Sequence, residues 1–387
     1  MTLTTLEFIV NKEQLRECKF APISVPSIAD LPDGQVVMKV DKFAFTSNNV
    51  TYAAFGTPMK YWDFFPTAQG WGNIPVWGFG EVMLSKAPGV EVGERFYGYF
   101  PMASHVCVTP LRVSDAGFVD GAAHRQAMHG LYNQYVRTST DPAYTAESED
   151  EQVLLRPLFI TSFMIDDFLD DNAYFDADTI LISSASSKTS YGLAFMLSMR
   201  KRTASTAQKC RVIGLTSAGN KAFVDSLGIY DDVITYDQVN TLPATQAVVY
   251  VDMAGSAPLR SSLHHHFKDN MKYSCAVGGT HWDELGGGAH LPGARPVLFF
   301  APAQIKKRAT DWGPGGVQTR LAQAWHQFMQ PVMGLPEAGN TEGKNTTESA
   351  WMQVIHGSGT KEVQSVYLSM LDGGAAPTEG HVLSLSS

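Results

Sequence analysis

The pattern of apolar positions changes near residue 158. Between residues 158 and 295, short apolar runs alternate with stretches in which apolar residues recur every three or four positions. Short uninterrupted runs are typical of strands buried on both faces of a parallel sheet, and the longer period is typical of helices. The alternation predicts a parallel α/β sheet that binds a ligand beyond the carboxyl ends of its strands. The predicted strands are DTILIS, CRVIGLT, DDVITYD, QAVVYVDMAG and MKYSCAVGG.

The regions on either side have a different pattern. Residues 31–110 contain strand-like runs separated by Gly, Pro and Asp, which predicts a β-rich, barrel-like domain. Residues 139–152 are polar and acidic, and we predict a surface loop there. Residues 296–387 are mixed: they hold an amphipathic helix, GVQTRLAQAWHQFMQPVM, and end in a helix, a glycine turn and a strand.

The turn after the first predicted strand is the main candidate for binding a phosphate. Small residues at 183–190 separate the strand from a helix that begins near Tyr191. Such a turn directs backbone N–H groups and a helix N-terminus at one point. A serine-rich helix cap is the alternative, and a P-loop is disfavoured because Ile182 and Ser187 occupy its two glycine positions. The candidate ligands of a pyrophosphate are Ser184, Ser186, Ser187, Lys188 and Thr189.

The end of the second predicted strand bears on the choice of cofactor. NAD sites usually have Asp or Glu there to bind the ribose 2′-hydroxyl. This chain has Thr216 and Ser217, followed by Lys221. Hydroxyls and a cation suit a 2′-phosphate, so we predict NADP(H). A solvated loop with an exposed lysine is the alternative.

The later strand ends supply weaker candidates for the same cofactor. Small residues after strands four and five would let a dinucleotide approach the backbone closely. Ordinary turn chemistry explains them equally well, and an aromatic residue in these positions can simply be part of the core. These candidates are Tyr236, Gly255, Val277, Gly278 and Phe300.

Composition narrows the function classes. The chain has 387 residues, 44% of them hydrophobic, and a formal net charge of −9. This length allows two or three domains, and the negative charge argues against a broad nucleic-acid surface. No apolar run approaches the ~20 residues of a membrane span, and the N-terminus resembles no signal peptide. The four cysteines are far apart, which argues against a disulfide scaffold, so we expect a cytoplasmic protein. We also expect it to act on a small molecule and to have no nucleic-acid or membrane partner.

Three segments carry a family resemblance. They read VVMKVDKFAFTSNNVTYA, IPVWGFGEVMLSKAPGVEVGERFYGYF and RVIGLTSAGNKAFVDSLGIYDDVITYD. Their order resembles the medium-chain dehydrogenase/reductase superfamily, in its zinc-free quinone-oxidoreductase and enoyl-reductase branch. The resemblance implies a Rossmann-type parallel-sheet domain (158–295) inserted in a β-rich, GroES-like catalytic domain (1–157 and 296–387). It also implies a homodimer.

Two departures from that family affect the chemistry. Phe79 stands where zinc-dependent members have a histidine, and the cysteine-rich zinc lobe is missing, so we expect no metal. The phosphate-binding turn has no glycine between Ser183 and Ser190. Serine donates hydrogen bonds to phosphate but is restricted where φ must be positive.

The resemblance also places the substrate pocket. Its motif falls on Asn48, Thr51 and Tyr52, which makes Tyr52 the first candidate hydrogen-bond donor to a reacting carbonyl and Asn48 the second. Packing against the barrel wall is the alternative for Tyr52. The aromatic-rich segment 61–77 could line a pocket for an apolar or planar substrate, or it could form part of the core.

We interpret His264–His266 as a solvated helix face, because consecutive helical residues point about 100° apart.

These observations predict a metal-independent, NADPH-dependent reductase of an activated C=C or C=O, such as an enone, a quinone or an enoyl thioester. Two alternatives stay open. The chain binds NADPH as a sensor or scaffold without turnover, or the same fold serves a non-redox enzyme that acts on acyl thioesters.

Overall fold

Two compact units make up the chain. The computed structural model describes residues 3–128, 130–202, 210–253, 255–277, 290–335, 350–374 and 376–385. The first unit joins Met1–Leu154 to Met352–Ser387, and the second is Leu155–Trp351. The sequence placed the return to the first domain at residue 296, whereas the structure places it after residue 351.

The described residues form eighteen strands and eight α-helices, with short 3₁₀ turns between them. The strands are β1 (Leu3–Asn11), β2 (Cys18–Val25), β3 (Val36–Phe45), β4 (Trp71–Gly72), β5 (Pro75–Ser85), β6 (Arg95–Pro101), β7 (His105–Val108), β8 (Pro110–Ser114), β9 (Gly117–Asp120), β10 (Gln134–Arg137), β11 (Thr179–Ile182), β12 (Arg211–Thr216), β13 (Asp232–Thr235), β14 (Val248–Asp252), β15 (Met271–Ala276), β16 (Pro296–Leu298), β17 (Gln353–Ser358) and β18 (Glu379–Ser384). The helices are α1 (Ser47–Ala54), α2 (Glu149–Asp171), α3 (Lys188–Arg202), α4 (Lys221–Ser226), α5 (Ala257–Phe267), α6 (Ala301–Asp311), α7 (Gly316–Val332) and α8 (Gly359–Leu371).

The first unit is the predicted β-rich domain. A small antiparallel sheet has the order β2-β1-β4, and a sheet of nine described strands has the order β17-β18-β3-β5-β6-β10-β9-β8, with β7 paired to β3. Strands from both chain ends share this sheet, because β18 pairs antiparallel with β3. Their inward side chains form an aromatic-rich core that includes Phe43, Phe45, Phe100 and Tyr135.

The second unit is the predicted parallel α/β domain. Its six described strands have the order β13-β12-β11-β14-β15-β16, and every pair is parallel. The strand order reverses between β11 and β14, and such a switch point leaves a crevice at the carboxyl ends of the strands. All four residues of β11 and all five of β14 are buried, as burial on both faces requires. The mixed α/β fold class is therefore confirmed.

Two local predictions differ from the structure. The segment 139–152 is not only a loop, since α2 begins at Glu149 with three acidic residues in its first turn, where the helix dipole favours negative charge. Residues 296–298 form β16, which pairs with β15 and extends the parallel sheet. That pairing explains why the second unit continues beyond residue 296.

None of the described helices is both long enough and apolar enough to cross a membrane.

Candidate cofactor and substrate sites

The turn between β11 and α3 lies at the switch point of the parallel sheet and stays partly exposed. Ser183, Ala185 and Ser190 are buried and fix the turn to the core. The five predicted phosphate ligands are all half-exposed: Ser184, Ser186, Ser187, Lys188 and Thr189. The bend is therefore accessible from solvent on one side.

Ser187 caps helix α3. Its Oγ accepts a hydrogen bond from the backbone N–H of Ser190 at 3.3 Å and donates to Ser190 Oγ at 2.8 Å. Ser190 Oγ in turn donates to the carbonyl of Ser183 at 2.9 Å. The hydroxyl of Ser187 is thus engaged within the chain, which fits the helix-cap interpretation.

Ser184 is held by Tyr236. The backbone of Ser184 has φ +48°, a left-handed conformation that glycine would adopt with less strain. Its N–H donates to the hydroxyl of Tyr236 at 3.2 Å, and the next N–H, of Ala185, donates to the carbonyl of Leu215 at 3.0 Å. Tyr236 therefore supports the turn, and the amide of Ser184 is already bonded.

Ser186 has a partner that the sequence did not suggest. Asn220 Nδ2 donates to Ser186 Oγ at 3.1 Å, which leaves the hydroxyl proton of Ser186 to donate elsewhere. Asn220 lies between Ser217 and Lys221 in the loop after β12. The parallel strands β11 and β12 end at the same edge of the sheet, so the loops that follow them lie near each other. This adjacency was the signal in the sequence that could have identified Asn220.

The loop after β12 has the predicted polar character. Thr216 is buried, whereas Ser217 is exposed. Lys221 begins α4, and its Nζ lies 2.7 Å from Asp225 Oδ2 in an exposed (i, i+4) ion pair. Such an exposed pair contributes little to the free energy of unfolding.

Asp252, at the end of β14, is a second residue that the sequence did not single out. It is fully buried, and its Oδ1 accepts hydrogen bonds from Ser183 Oγ at 3.3 Å and from the N–H of Gly255 at 2.9 Å. Ser183 Oγ accepts from the N–H of Met253 at 2.9 Å. Burial raises the pKa of Asp252, and the N–H of Gly255 opposes that rise. Asp252 therefore ties the end of β11 to the turn after β14.

The remaining cofactor candidates lie after the carboxyl ends of the later strands of the parallel sheet. Gly255 has φ +65° and bonds Asp252, so a turn requirement explains it. Val277 donates its N–H to the carbonyl of Asp252 at 3.0 Å, and Gly278 lies outside the described residues. Phe300 directly precedes α6 and is 53% exposed, so it is not a core residue.

The predicted substrate residues lie together on helix α1, in the first unit. Asn48 Nδ2 donates to the hydroxyl of Tyr52 at 2.7 Å, a contact that their (i, i+4) spacing allows. Thr51 directs its hydroxyl to the carbonyl of Ser47 at 3.4 Å, which is ordinary helix chemistry. Burial raises the pKa of Tyr52 well above its usual value, so the phenol stays protonated.

Tyr52 belongs to a group of aromatic side chains that we call the phenol cluster. The ring centroid of Tyr61 lies 4.4 Å from that of Tyr52, and the ring centroid of Tyr99 lies 6.1 Å from that of Tyr52 in a T-shaped arrangement. Trp77 packs 4.9 Å from Tyr99, and Tyr132 lies at the same distance from Tyr99. The aromatic segment 61–77 thus contributes both to a core and to the surroundings of Tyr52. The phenol cluster comprises Tyr52, Tyr61, Trp77, Tyr99 and Tyr132.

The histidine triplet on α5 differs from its prediction. His264 is fully buried: Nδ1 lies 2.9 Å from the carbonyl of Pro292 and Nε2 lies 3.0 Å from Ser274 Oγ. His265 is exposed, and His266 contacts the carbonyl of Leu242 at 2.7 Å. The interpretation as a solvated face is wrong for His264, because that position of α5 faces the sheet. Among the described residues, no group of three His, Cys, Asp or Glu side chains is arranged to hold a metal ion.

Comparison with solved structures supports the fold. CurA from Vibrio vulnificus in complex with NADPH has 10% sequence identity and a TM-score of 0.59, and the match covers 99% of both chains. A mutant of Etr1p in complex with NADP and crotonyl-CoA has 11% identity, a TM-score of 0.56 and complete coverage of both chains. A putative NADPH:quinone reductase from Bacillus thuringiensis has 11% identity, a TM-score of 0.55 and 99% coverage of both chains.

These likenesses span the whole chain, so the resemblance to the medium-chain dehydrogenase/reductase superfamily is confirmed at the level of the fold. No curated protein matches the chain. One family model does match, over residues 43–376, and its description is "Protein of unknown function (DUF2855)". Because the match covers most of the sequence, the chain belongs to the DUF2855 family.

Proposed function

We propose that this protein is an NADPH-dependent oxidoreductase that reduces an activated C=C or C=O without a metal. The observation that carries the proposal is the half-exposed turn at the switch point of the second unit, on a fold whose solved examples include NADPH and NADP complexes. Bound there, the nicotinamide would supply a hydride, a chemistry that the side chains lack.

The turn fits a dinucleotide through a smaller set of residues than the sequence suggested. Ser184 and Ser187 are engaged within the chain, so among the serines of the turn we assign the pyrophosphate to Ser186. Thr189, Lys188 and the first turn of α3 lie beside it in the sequence and complete the assignment. Asn220 would orient Ser186 by donating to its Oγ. Ser217 and Lys221 would bind the 2′-phosphate, which gives the preference for NADP(H) over NAD(H).

On the substrate side, we assign the proton to Tyr52. Its oxygen accepts a hydrogen bond from Asn48, so the phenol proton is directed elsewhere. Among the described residues that proton has no acceptor, which suits donation to a substrate carbonyl oxygen as negative charge develops there. Burial keeps the phenol protonated at neutral pH.

A fluorescence titration with NADPH tests the cofactor, and an oxidation screen over enones, quinones and enoyl thioesters tests the reaction. We expect NADPH to bind more tightly than NADH, and Tyr52→Phe to lower kcat about 100-fold or more while leaving the Kd for NADPH unchanged. No binding at millimolar NADPH would refute the proposal.

The internal hydrogen bonds of Ser184 and Ser187 favour one rival function. A turn that already satisfies its own donors could hold NADPH for sensing rather than for turnover. Binding of NADPH with no oxidation on any acceptor in the screen would support this sensor and exclude the reductase.

A further inference from the structure

Asn220 joins two loops at the carboxyl edge of the parallel sheet. It ends the 3₁₀ turn Ala218–Asn220, and its Nδ2 donates to Ser186 Oγ, in the turn after β11, at 3.1 Å. Its backbone N–H donates to the carbonyl of Ser217 at 3.1 Å, which fixes the residue within its own loop. The residue is half-exposed, and its Oδ1 accepts no hydrogen bond from the described residues. The nitrogen of this amide is thus engaged, and the oxygen is available to a ligand.

The position of Ser186 relative to this loop is fixed by the residue before it. Ala185 is fully buried, and its N–H donates to the carbonyl of Leu215 in β12 at 3.0 Å. The carbonyl of Ala185 accepts from the hydroxyl of Tyr230 at 2.9 Å. The turn after β11 is therefore held against the end of β12 by two buried contacts, and the hydrogen bond between Asn220 and Ser186 follows from that arrangement.

A phosphate bound to Ser186 would require the amide orientation that the structure shows. Ionised phosphate oxygens accept hydrogen bonds and have no proton to donate. Ser186 has one hydroxyl proton, so when it donates that proton to a phosphate, its Oγ can only accept from Asn220 Nδ2. The oxygen Oδ1 of Asn220 then needs a donor, and no phosphate can supply one.

The location of Asn220 selects the ribose of the adenosine half of the cofactor as that donor. We assigned the pyrophosphate to Ser186 and the 2′-phosphate to Ser217 and Lys221. Asn220 is bonded to Ser186 and lies between Ser217 and Lys221 in the chain. In NADPH the ribose carries both phosphates, one through its 5′-carbon and one on its 2′-oxygen. The 3′-hydroxyl is the donor that remains between them.

We propose that Asn220 binds the cofactor directly: its Oδ1 accepts a hydrogen bond from the 3′-hydroxyl of the adenosine ribose, while its Nδ2 directs the proton of Ser186 to the pyrophosphate. This inference rests on the proposed function, but only on the cofactor, so it applies whether bound NADPH is oxidised or sensed. A neutral amide suits this place, because a carboxylate would accept from the same hydroxyl but repel both phosphates.

The test measures Kd values of the full chain by titration calorimetry with ADP and with 3′-deoxy-ADP, which differ only in that hydroxyl. We expect the wild type to bind ADP about 3- to 10-fold more tightly than 3′-deoxy-ADP, the usual effect of one neutral hydrogen bond. In Asn220→Ala this ratio should fall close to 1. The Kd for NADPH should rise about 10-fold, because the ribose contact and the orientation of Ser186 are both lost.

A second background separates the direct contact from an effect through Ser186. In Ser186→Ala the Nδ2 contact is already gone. Adding Asn220→Ala there should still weaken ADP binding about 3- to 10-fold and leave the binding of 3′-deoxy-ADP unchanged. If Asn220 acted only by orienting Ser186, the added change would affect neither nucleotide.

Asn270 provides a matched control. It also ends a 3₁₀ turn, Lys268–Asn270, is half-exposed, and donates from Nδ2 to the carbonyl of Ala244 at 2.9 Å. It directly precedes β15 and so lies at the amino edge of the parallel sheet, away from the candidate site. Asn270→Ala should lower Tm about as much as Asn220→Ala does and leave every Kd unchanged.

Equal Kd values for ADP and 3′-deoxy-ADP in the wild type, or the wild-type ratio in Asn220→Ala, would overturn the inference and leave the proposed function intact. Failure of the wild type to bind NADPH or ADP would refute both. Should Asn220→Ala not fold, Asn220→Asp decides instead: it keeps an acceptor, so it should keep the ratio while binding both nucleotides more weakly, and a ratio close to 1 would contradict the ribose contact.

Discussion

At the scale of the residue, two adjacent serines of the turn have separate tasks. Ser187 caps α3, whereas Ser186 has a hydroxyl proton to donate. Ser187→Ala should therefore lower the free energy of unfolding by about 1 kcal/mol, as loss of a helix cap usually does. Ser186→Ala should change stability less but weaken NADPH binding severalfold. Urea denaturation and NADPH titration of both variants measure this, and equal effects of the two changes on stability would contradict it.

His264 predicts a dependence of stability on pH. Its Nδ1 donates to the carbonyl of Pro292 and its Nε2 accepts from Ser274, so the buried ring is neutral. Burial lowers the pKa of His264, and Arg260 and His265 lower it further, while Asp252 and the Pro292 carbonyl oppose them. As pH falls below about 6.5, the unfolded chain takes up this proton first, and the folded state loses stability.

Urea denaturation between pH 7.5 and 5 checks this prediction. His264→Gln should have a flatter stability profile below about pH 6.5 than the wild type. His265→Gln, at the adjacent exposed position, serves as the control and should keep most of the wild-type slope, because His265 is the weakest of the groups that shift the pKa of His264. An unchanged slope in His264→Gln would show that other groups control the dependence.

At the scale of the element, α3 packs closely on α2 at Gly192. A Cβ added there would lie 2.8 Å from Ser162 Oγ, and this hydroxyl is fixed by donating to the carbonyl of Thr189 at 2.7 Å. Gly192→Ala should therefore lower the free energy of unfolding by about 1 to 3 kcal/mol, although alanine favours a helix by about 1 kcal/mol. In a protein that already carries Ser162→Ala, Gly192→Ala should lower the free energy of unfolding by less, because the oxygen that the new methyl group would meet is absent. If the effects of the two changes on the free energy of unfolding simply add, this contact is contradicted.

Periodicity identified most elements of the second unit and failed at its ends. The strands from β11 to β15 are short apolar runs, so their pattern was unambiguous. β16 has three residues, and its sequence Pro296–Leu298 shows no period that separates it from the strands of a barrel. The acidic residues at the start of α2 suggested a loop, because charge alone does not distinguish a solvated loop from a helix N-terminus.

At the scale of the whole molecule, the sequence predicted the class of fold correctly, but it did not show which residues of the candidate turn are engaged within the chain. The order of β-rich and α/β segments sufficed to predict a parallel α/β sheet and a β-rich part that strands from both chain ends share. Which serine caps a helix and which remains available, however, depends on contacts between distant segments, such as Asn220 with Ser186. The same holds for Asp252, whose role depends on burial and on shared hydrogen bonds that no local pattern encodes.

Binding of the cofactor should stabilise the whole molecule in a way that depends on the 2′-phosphate. A ligand that binds only the folded state raises the free energy of unfolding by about 2.7 kcal/mol at a concentration 100 times its Kd. NADPH should therefore raise Tm more than NADH at equal concentration, because Ser217 and Lys221 have no carboxylate between them to repel the phosphate. Ser217→Asp would introduce a carboxylate at the exposed end of β12. In this variant we expect NADH to raise Tm more than NADPH does. Equal shifts for both nucleotides in the wild type would contradict this assignment, and the unliganded Tm of Ser217→Asp provides the control for folding.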